Sequence, residues 1–294
     1  MNDSVSPTEL SNPRTRGLDT MDLKTLIDAL AADQARAVEA VRERKEDIAL
    51  AVENIAARLR EGGHLHYVGA GTSGRLAFLD ASECPPTFGT PPDLVCAHLA
   101  GGPAALSRAV EGAEDNGDAG AHDMLDHVGA GDAVIGLSAS GGPAYVLGAL
   151  VTARAAGAYT VAVSNAPHSK LASVADQDIF LDTGPEALTG STRLKAGTAQ
   201  KILLNIVSTA VMVRLGKVYD NLMVDVVATN KKLRNRALRL VMQLAEVDER
   251  RAAQLLQAAN GRVKVAVVMA HRNLDAGAAR QLLESAGNSL RASL

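Results

Sequence analysis

A short apolar run that ends in a glycine turn and opens directly into a helical pattern constrains this chain most. In Leu65 to Gly89, LHYVGAGTSGRLAFLDASECPPTFG, the run Leu65 to Val68 has the composition of a buried strand. Gly69-Ala70-Gly71-Thr72-Ser73-Gly74 breaks it, and Leu76 and Leu79 begin a helical periodicity. Strand, glycine turn and helix start, in that order, aim free backbone N–H groups and the positive helix end at one point, which makes an anion site. The alternation continues, with apolar runs at Leu94 to Leu99, Ala133 to Leu137, Thr160 to Ser164 and Ile179 to Leu181 separated by helical stretches. That order predicts an α/β fold, a doubly wound parallel sheet flanked by helices, with ligands outside the carboxyl ends of the strands.

Gly69, Gly71 and Gly74 satisfy G-x-G-x-x-G in the right context. The next apolar run, however, ends in Leu99-Ala100-Gly101-Gly102, with no carboxylate to hold a ribose, and no Lys follows the last glycine as a Walker loop requires. What stands out is the hydroxyl pair Thr72 and Ser73, because Ser138-Ala139-Ser140-Gly141 repeats the same chemistry after another buried run. Two such loops fit one phosphorylated small molecule, although either alone also reads as an ordinary turn of small residues. Aromatic residues make up only 2% of the 294 and the net charge is −3, which argues against a nucleic-acid partner. Cys84 and Cys96 form neither a disulfide framework nor a metal spacing and read as reduced thiols of a cytoplasmic protein. No segment resembles a signal peptide and no run approaches the roughly 20 apolar residues of a membrane helix, so no membrane partner is expected. His64, His66, His98, His122, His127, His168 and His271 contain no H-E-x-x-H or related pattern, and no metal site is predicted.

The chain divides into an arm over 1–20, an α/β domain with leading helices over 21–227, and a small all-helical domain over 228–294. The arm is polar, carries Pro7 and Pro13, and is expected to be disordered unless it packs on a partner. Met21 to Arg60 is helical in pattern, with Ile48, Val52, Ile55 and Leu59 on one face and Glu61-Gly62-Gly63 as its stop. A long helix is predicted from near Ser191 to about Leu215, so nearly surrounded by apolar residues (Ile202, Leu203, Ile206, Val207, Val211, Met212) that it suits the core or a subunit interface. From Thr229 on the chain reads as short amphipathic helices. The basic run Lys231, Lys232, Arg234, Arg236 and Arg239 reads as a solvated helix face, or else one that reaches an anionic substrate. The candidate proton-moving groups are Glu83, at the end of the first loop's helix, and Glu111 and Glu114, three residues apart on a helix after the second strand; each also reads as a surface carboxylate.

Longer motifs go further. Leu79-Asp80-Ala81-Ser82-Glu83-Cys84-Pro85-Pro86-Thr87-Phe88-Gly89, Ala109-Val110-Glu111-Gly112-Ala113-Glu114-Asp115 and Thr189-Gly190-Ser191-Thr192-Arg193-Leu194-Lys195-Ala196-Gly197-Thr198-Ala199-Gln200-Lys201 resemble the signatures of the N-acetylmuramic acid 6-phosphate etherases. The similarity runs from Asn12-Pro13-Arg14-Thr15-Arg16 through Asn221-Leu222-Met223-Val224-Asp225-Val226 into the helical tail. It implies a sugar-isomerase (SIS) domain of flavodoxin-like topology, a homodimer, no metal and no nucleotide cofactor. The implied reaction is conversion of N-acetylmuramic acid 6-phosphate and water to N-acetylglucosamine 6-phosphate and D-lactate in cell-wall sugar recycling.

The resemblance also assigns Glu83 and Glu114 as the catalytic pair. In the open-chain sugar the C1 aldehyde acidifies the C2 proton and the C3 lactyl ether is a β leaving group. One carboxylate, Glu114, takes that proton; the other, Glu83, protonates the departing oxygen; water then adds with the roles reversed. Thr72, Ser73, Ser138, Ser140 and Gly141 would hold the phosphate, with Ser191, Thr192, Lys195 and Glu111 as further contacts, Lys195 from either subunit. Lys195 also reads as a surface lysine at a helix start. One departure is Gly142-Pro143-Ala144, where the etherases usually carry Arg-Thr-Pro. Two other readings are a sugar-phosphate-binding regulator, like the vertebrate glucokinase regulatory protein of similar fold, and a ketose–aldose isomerase, which would leave the long motifs unexplained.

Overall fold

The computed structural model describes residues 6–226 and 231–294. In chain order the first elements are α1 (Leu23–Arg42), α2 (Lys45–Arg60), β1 (Leu65–Gly69), α3 (Gly71–Phe88), β2 (Val95–Leu99), α4 (Gly117–Leu125), β3 (Ala133–Ser138), α5 (Ala144–Ala155), β4 (Tyr159–Ser164), α6 (Lys170–Val174), β5 (Gln177–Phe180) and α7 (Lys195–Arg214). All five expected strands form. They pair in parallel in the order β2-β1-β3-β4-β5, the flavodoxin-like arrangement, whose switch point lies between β1 and β3. Every residue of β1 and β3 is buried, as central strands covered on both faces must be. Val68, Val134 and Ala162 of the sheet pack with Met124 of α4 and Tyr145, Val146, Ala149 and Leu150 of α5.

The described residues cluster into two compact units, one of residues up to 81 with 93–208 and one of 82–92 with 209–294. In the second, β6 (Val218–Tyr219) and β7 (Leu222–Met223) form a small antiparallel hairpin. The helices α8 (Lys231–Ala245), α9 (Glu249–Ala258), α10 (Val263–Arg272), α11 (Ala276–Ser285) and α12 (Leu290–Ser293) pack around Leu240, Val241, Leu255, Val267 and Leu283. The domain boundary expected between 227 and 228, and Thr229 with it, lies outside the described residues. Lys231, Lys232, Arg234 and Arg239 are exposed, as a solvated face would have them.

Several expectations are corrected. The helical pattern from Met21 to Arg60 is two helices, capped at the start by Asp22, whose carboxylate accepts from the N–H groups of Lys24 and Thr25. The arm, over its described residues, is docked on its own unit. Its short 3₁₀ turns bury Thr8, Asn12 and Thr15; Asn12 donates to Asp33 Oδ1 at 3.0 Å and Thr15 Oγ1 to the carbonyl of Ala187 at 2.8 Å. Its polar residues find partners inside the unit, which composition could not reveal. By length and composition α7 could cross a membrane, contrary to the expectation from apolar runs, but just over half of it is buried in the fold. Leu203, Val207, Val211 and Met212 are interior, whereas Ile206 and Val213 are left exposed.

Candidate active site

The first hydroxyl loop connects β1 to α3 through a close approach of two backbones. A Cβ on Gly74 would stand 2.6 Å from the carbonyl oxygen of Gly69 and 2.3 Å from Leu99 Cδ1, so only glycine fits. Thr72 is half-buried and Ser73 buried on the first turn of α3. Gly74→Ala is expected to push that turn off β1 and to cost about 1–3 kcal/mol by overpacking. Weaker sugar-phosphate affinity, read by calorimetry, should accompany a lower thermal midpoint.

The second loop leaves β3, the neighbour of β1, at Ser138. Ser138 Oγ is buried and accepts from the N–H of Gly141 at 3.0 Å, and Ser140 Oγ accepts from Gly142 at 3.3 Å. Gly141 has φ +66°, and a Cβ there would meet Ser169 Cβ at 2.3 Å. Pro143 then leads into α5, whose first N–H groups have no side-chain cap. The fold thus brings Thr72, Ser73, Ser138, Ser140 and Gly141 to the carboxyl ends of two adjacent strands, with an uncapped helix end behind the second loop.

The third segment comes to the same place. A Cβ on Gly197, in the first turn of α7, would lie 3.3 Å from Thr72 Cγ2 and 3.4 Å from the carbonyl of Thr192, so the Ser191-Thr192 turn lies beside the first loop. Lys195 does something other than expected. Its ammonium is buried, 2.7 Å from Asp33 Oδ1 and 2.7 Å from the carbonyl oxygen of Pro185, and the lysine is neither a surface residue nor free to reach a ligand. The N-terminus of α7 is capped from within by the fully buried Glu186, which accepts from the N–H groups of Lys195 at 2.9 Å and Ala196 at 2.8 Å. Burial pushes the Glu186 carboxyl above its usual range, against the pull of those two N–H groups.

Glu111 and Glu114 share no helix face. Glu111 is in a turn and Glu114 in the 3₁₀ turn Ala113–Asp115, both exposed, because glycines at 101, 102 and 112 with positive φ keep the segment irregular. Arg75, at the start of the second turn of α3, ties this segment down by donating to the carbonyls of Ala105 at 2.9 Å and Arg108 at 3.3 Å. Glu83 is exposed within α3, which runs on through Pro85 and Pro86 to Phe88 instead of stopping before them. Sequence reasoning missed Asn12, Asp33, Glu186, Arg75 and Asp80. Asp80 accepts from Lys201 Nζ at 3.0 Å and from the Tyr67 hydroxyl at 3.2 Å, within the motif Leu79 to Gly89.

A cavity of about 670 Å³ lies in the helical unit, lined by Lys217, Asp225, Arg262, Lys264, Arg280 and Glu284 among others. Its buried Lys264 ammonium is already held by Asp225 Oδ2 at 2.7 Å, Asn288 O at 2.8 Å and Gly216 O at 2.9 Å. The hydroxyl loops, at the strand ends and beside the uncapped start of α5, are the better anion site.

Comparison with known proteins agrees with this topology. Residues 32–154 match the glucokinase regulatory protein N-terminal SIS domain and residues 110–210 match the SIS domain. The solved structure of E. coli CFT073 c3406 superposes with a TM-score of 0.51 at 20% identity, over 68% of this chain and 97% of that one, a likeness of fold. The N-acetylmuramic acid 6-phosphate etherase of Gloeobacter violaceus is 50% identical over 96% of this chain and 93% of its own length. The protein of the same name from Salmonella agona is 49% identical over 100% of this chain and 99% of its own. This chain therefore belongs to the N-acetylmuramic acid 6-phosphate etherase family.

Proposed function

We propose that this chain cleaves the D-lactyl ether of N-acetylmuramic acid 6-phosphate with water, giving N-acetylglucosamine 6-phosphate and D-lactate, by elimination followed by hydration. It acts as a carbon–oxygen lyase in peptidoglycan amino-sugar recycling. The observation that carries this reading is the identity of about half of all residues, end to end, with proteins named for that activity. The hydroxyl loops support it: Thr72, Ser73, Ser138, Ser140 and the N–H groups around Gly141 and the start of α5 would hold the phosphate, fixing the sugar at a point remote from the reacting carbons. With Gly142-Pro143-Ala144 following the loop, the anion is held there by hydroxyls and backbone rather than by a guanidinium. The resemblance gives Glu83 and Glu114 as the pair; we assign Glu114 to remove the C2 proton and Glu83 to protonate the leaving oxygen. Ser191 and Thr192 would extend the binding surface, and Glu111 would contact the sugar from the segment held by Arg75. Lys195 would serve by positioning that turn through Asp33.

The working form would be a homodimer in the cytoplasm. The exposed apolar side chains of α1 (Leu23, Ile27, Val38), α3 (Phe78, Leu79) and α7 (Ile206, Val213) suit a second copy. The test is D-lactate release from N-acetylmuramic acid 6-phosphate in chelator-treated buffer. Release of one lactate per sugar is the expected result. Tight binding of the sugar phosphate without release would favour the regulator reading.

A further inference from the structure

At the other end of the sheet from the hydroxyl loops, the fold gathers histidines whose spacing in sequence carried no pattern. His64 precedes β1, His66 lies within it, and Asp132 immediately precedes the neighbouring strand β3. One ligand atom from each of the three comes within 4.8 Å of the others. His64 Nδ1 is 3.2 Å from Asp132 Oδ1, close to the roughly 3.3 Å that separates two ligands of a tetrahedral ion with bonds of about 2.0–2.1 Å. His98 of β2 stacks on His66 with centroids 5.3 Å apart and its Nε2 lies 3.0 Å from His66 Nδ1; His127 meets His98 edge-on at 5.4 Å.

The second observation is an orphan. His66 is only 3% exposed, yet its Nε2 has no hydrogen-bond partner among the described residues. A buried ring nitrogen without a partner costs about 1–3 kcal/mol, so it needs an account. In the tautomer in which His66 Nδ1 donates to His98 Nε2, 3.0 Å away, His66 Nε2 presents a bare lone pair, and an imidazole held in that way by a neighbour is how metal-binding histidines are oriented. The side chain of His64 is 41% exposed, which leaves an entry path from solvent.

We propose that His64, His66 and Asp132 bind a single divalent cation of the zinc class, with His98 as a positioning residue for His66. Two imidazoles and one carboxylate are a donor set for Zn²⁺ or Co²⁺ and a poor one for Mg²⁺ or Ca²⁺, which take oxygen ligands. A water would complete the shell on the exposed side. The ion would fasten the start of β1 to the start of β3 and take no part in ether cleavage, so the site stands whether or not the etherase reading does.

The experiment uses the full chain stripped of metal, titrated with Co²⁺ while its visible absorption is recorded, then with Zn²⁺ by calorimetry. One equivalent of Co²⁺, displaced by Zn²⁺, is expected. His64→Ala should weaken Zn²⁺ binding at least tenfold, and His98→Phe by about 10–100-fold with the ligands still in place. His271→Ala, outside the cluster, should leave binding unchanged. Lactate release by wild type and His64→Ala should be the same with and without chelator. The proposal is overturned if the stripped protein takes up no stoichiometric Zn²⁺, or if His64→Ala, shown folded by circular dichroism, binds it as tightly as wild type.

Discussion

Glu83→Gln and Glu114→Gln are each expected to lower D-lactate release by about 10²–10⁴-fold, the usual worth of a positioned general acid or base. Glutamine keeps the size and hydrogen-bonding shape of the side chain but can neither take the C2 proton nor deliver one to the lactyl oxygen. Both side chains are exposed, and neither is drawn into any hydrogen bond that holds the fold together among those described. Their replacement should therefore leave the thermal midpoint and sugar-phosphate binding near wild type while the rate collapses. The two losses should not add in the double variant, because residues that act as a unit fail as one. Solvent-derived deuterium at C2 separates the roles. If Glu114 is the base, Glu114→Gln stops C2 exchange, whereas Glu83→Gln still permits it while blocking departure of lactate. A full rate in either variant would remove that residue from the mechanism.

Lys195→Met is expected to be the most destabilising single change considered, costing about 3–5 kcal/mol, because it leaves Asp33 charged and unpaired in the interior. The two side chains are 4% and 3% exposed and 2.7 Å apart, so little water can take over from the ammonium. In a unit of this size the thermal midpoint should fall by roughly 6–20 °C. The double variant Asp33→Leu/Lys195→Met should recover a large part of the loss, since a buried pair replaced whole by apolar side chains is often neutral. A lysine that instead served as a substrate contact would show the opposite pattern: KM raised in Lys195→Met at an unchanged midpoint.

The sheet was legible because its strands are continuous apolar runs broken by glycine, and each run reappears within one or two residues of its expected place. The two hydroxyl loops were legible for the same reason, being short and tied to strand ends by the chain itself. What the sequence hid was pairing across long separations. Lys195, Thr198, Gln200 and Lys201 stand in one motif, yet each reaches a different partner, Asp33, Gln34, Asn165 and Asp80 in turn, so a stretch that looks like a binding signature is largely internal scaffolding. The strand–helix alternation predicts a helix after the second strand that would carry Glu111 and Glu114 on one face, whereas the left-handed backbone at Gly101, Gly102 and Gly112 keeps that segment irregular. His64, His66 and Asp132 escaped notice because spacing rules see ligands within one element, and these come from the starts of two strands.

The docking of the first residues sets a clock on synthesis. Asp33 and Lys195 are 162 residues apart, and Asn12 meets the carbonyl of Pro185 across 173. The first contact cannot close until Lys195 at the start of α7 has left the ribosome, nor the second until Pro185 has. At about 5–20 residues per second, α1 waits roughly 8–32 s with a buried-type carboxylate still in water. During that interval the β1-β3 pairing can form and the arm cannot lock, so docking of the arm is expected to be a late step in folding of this unit.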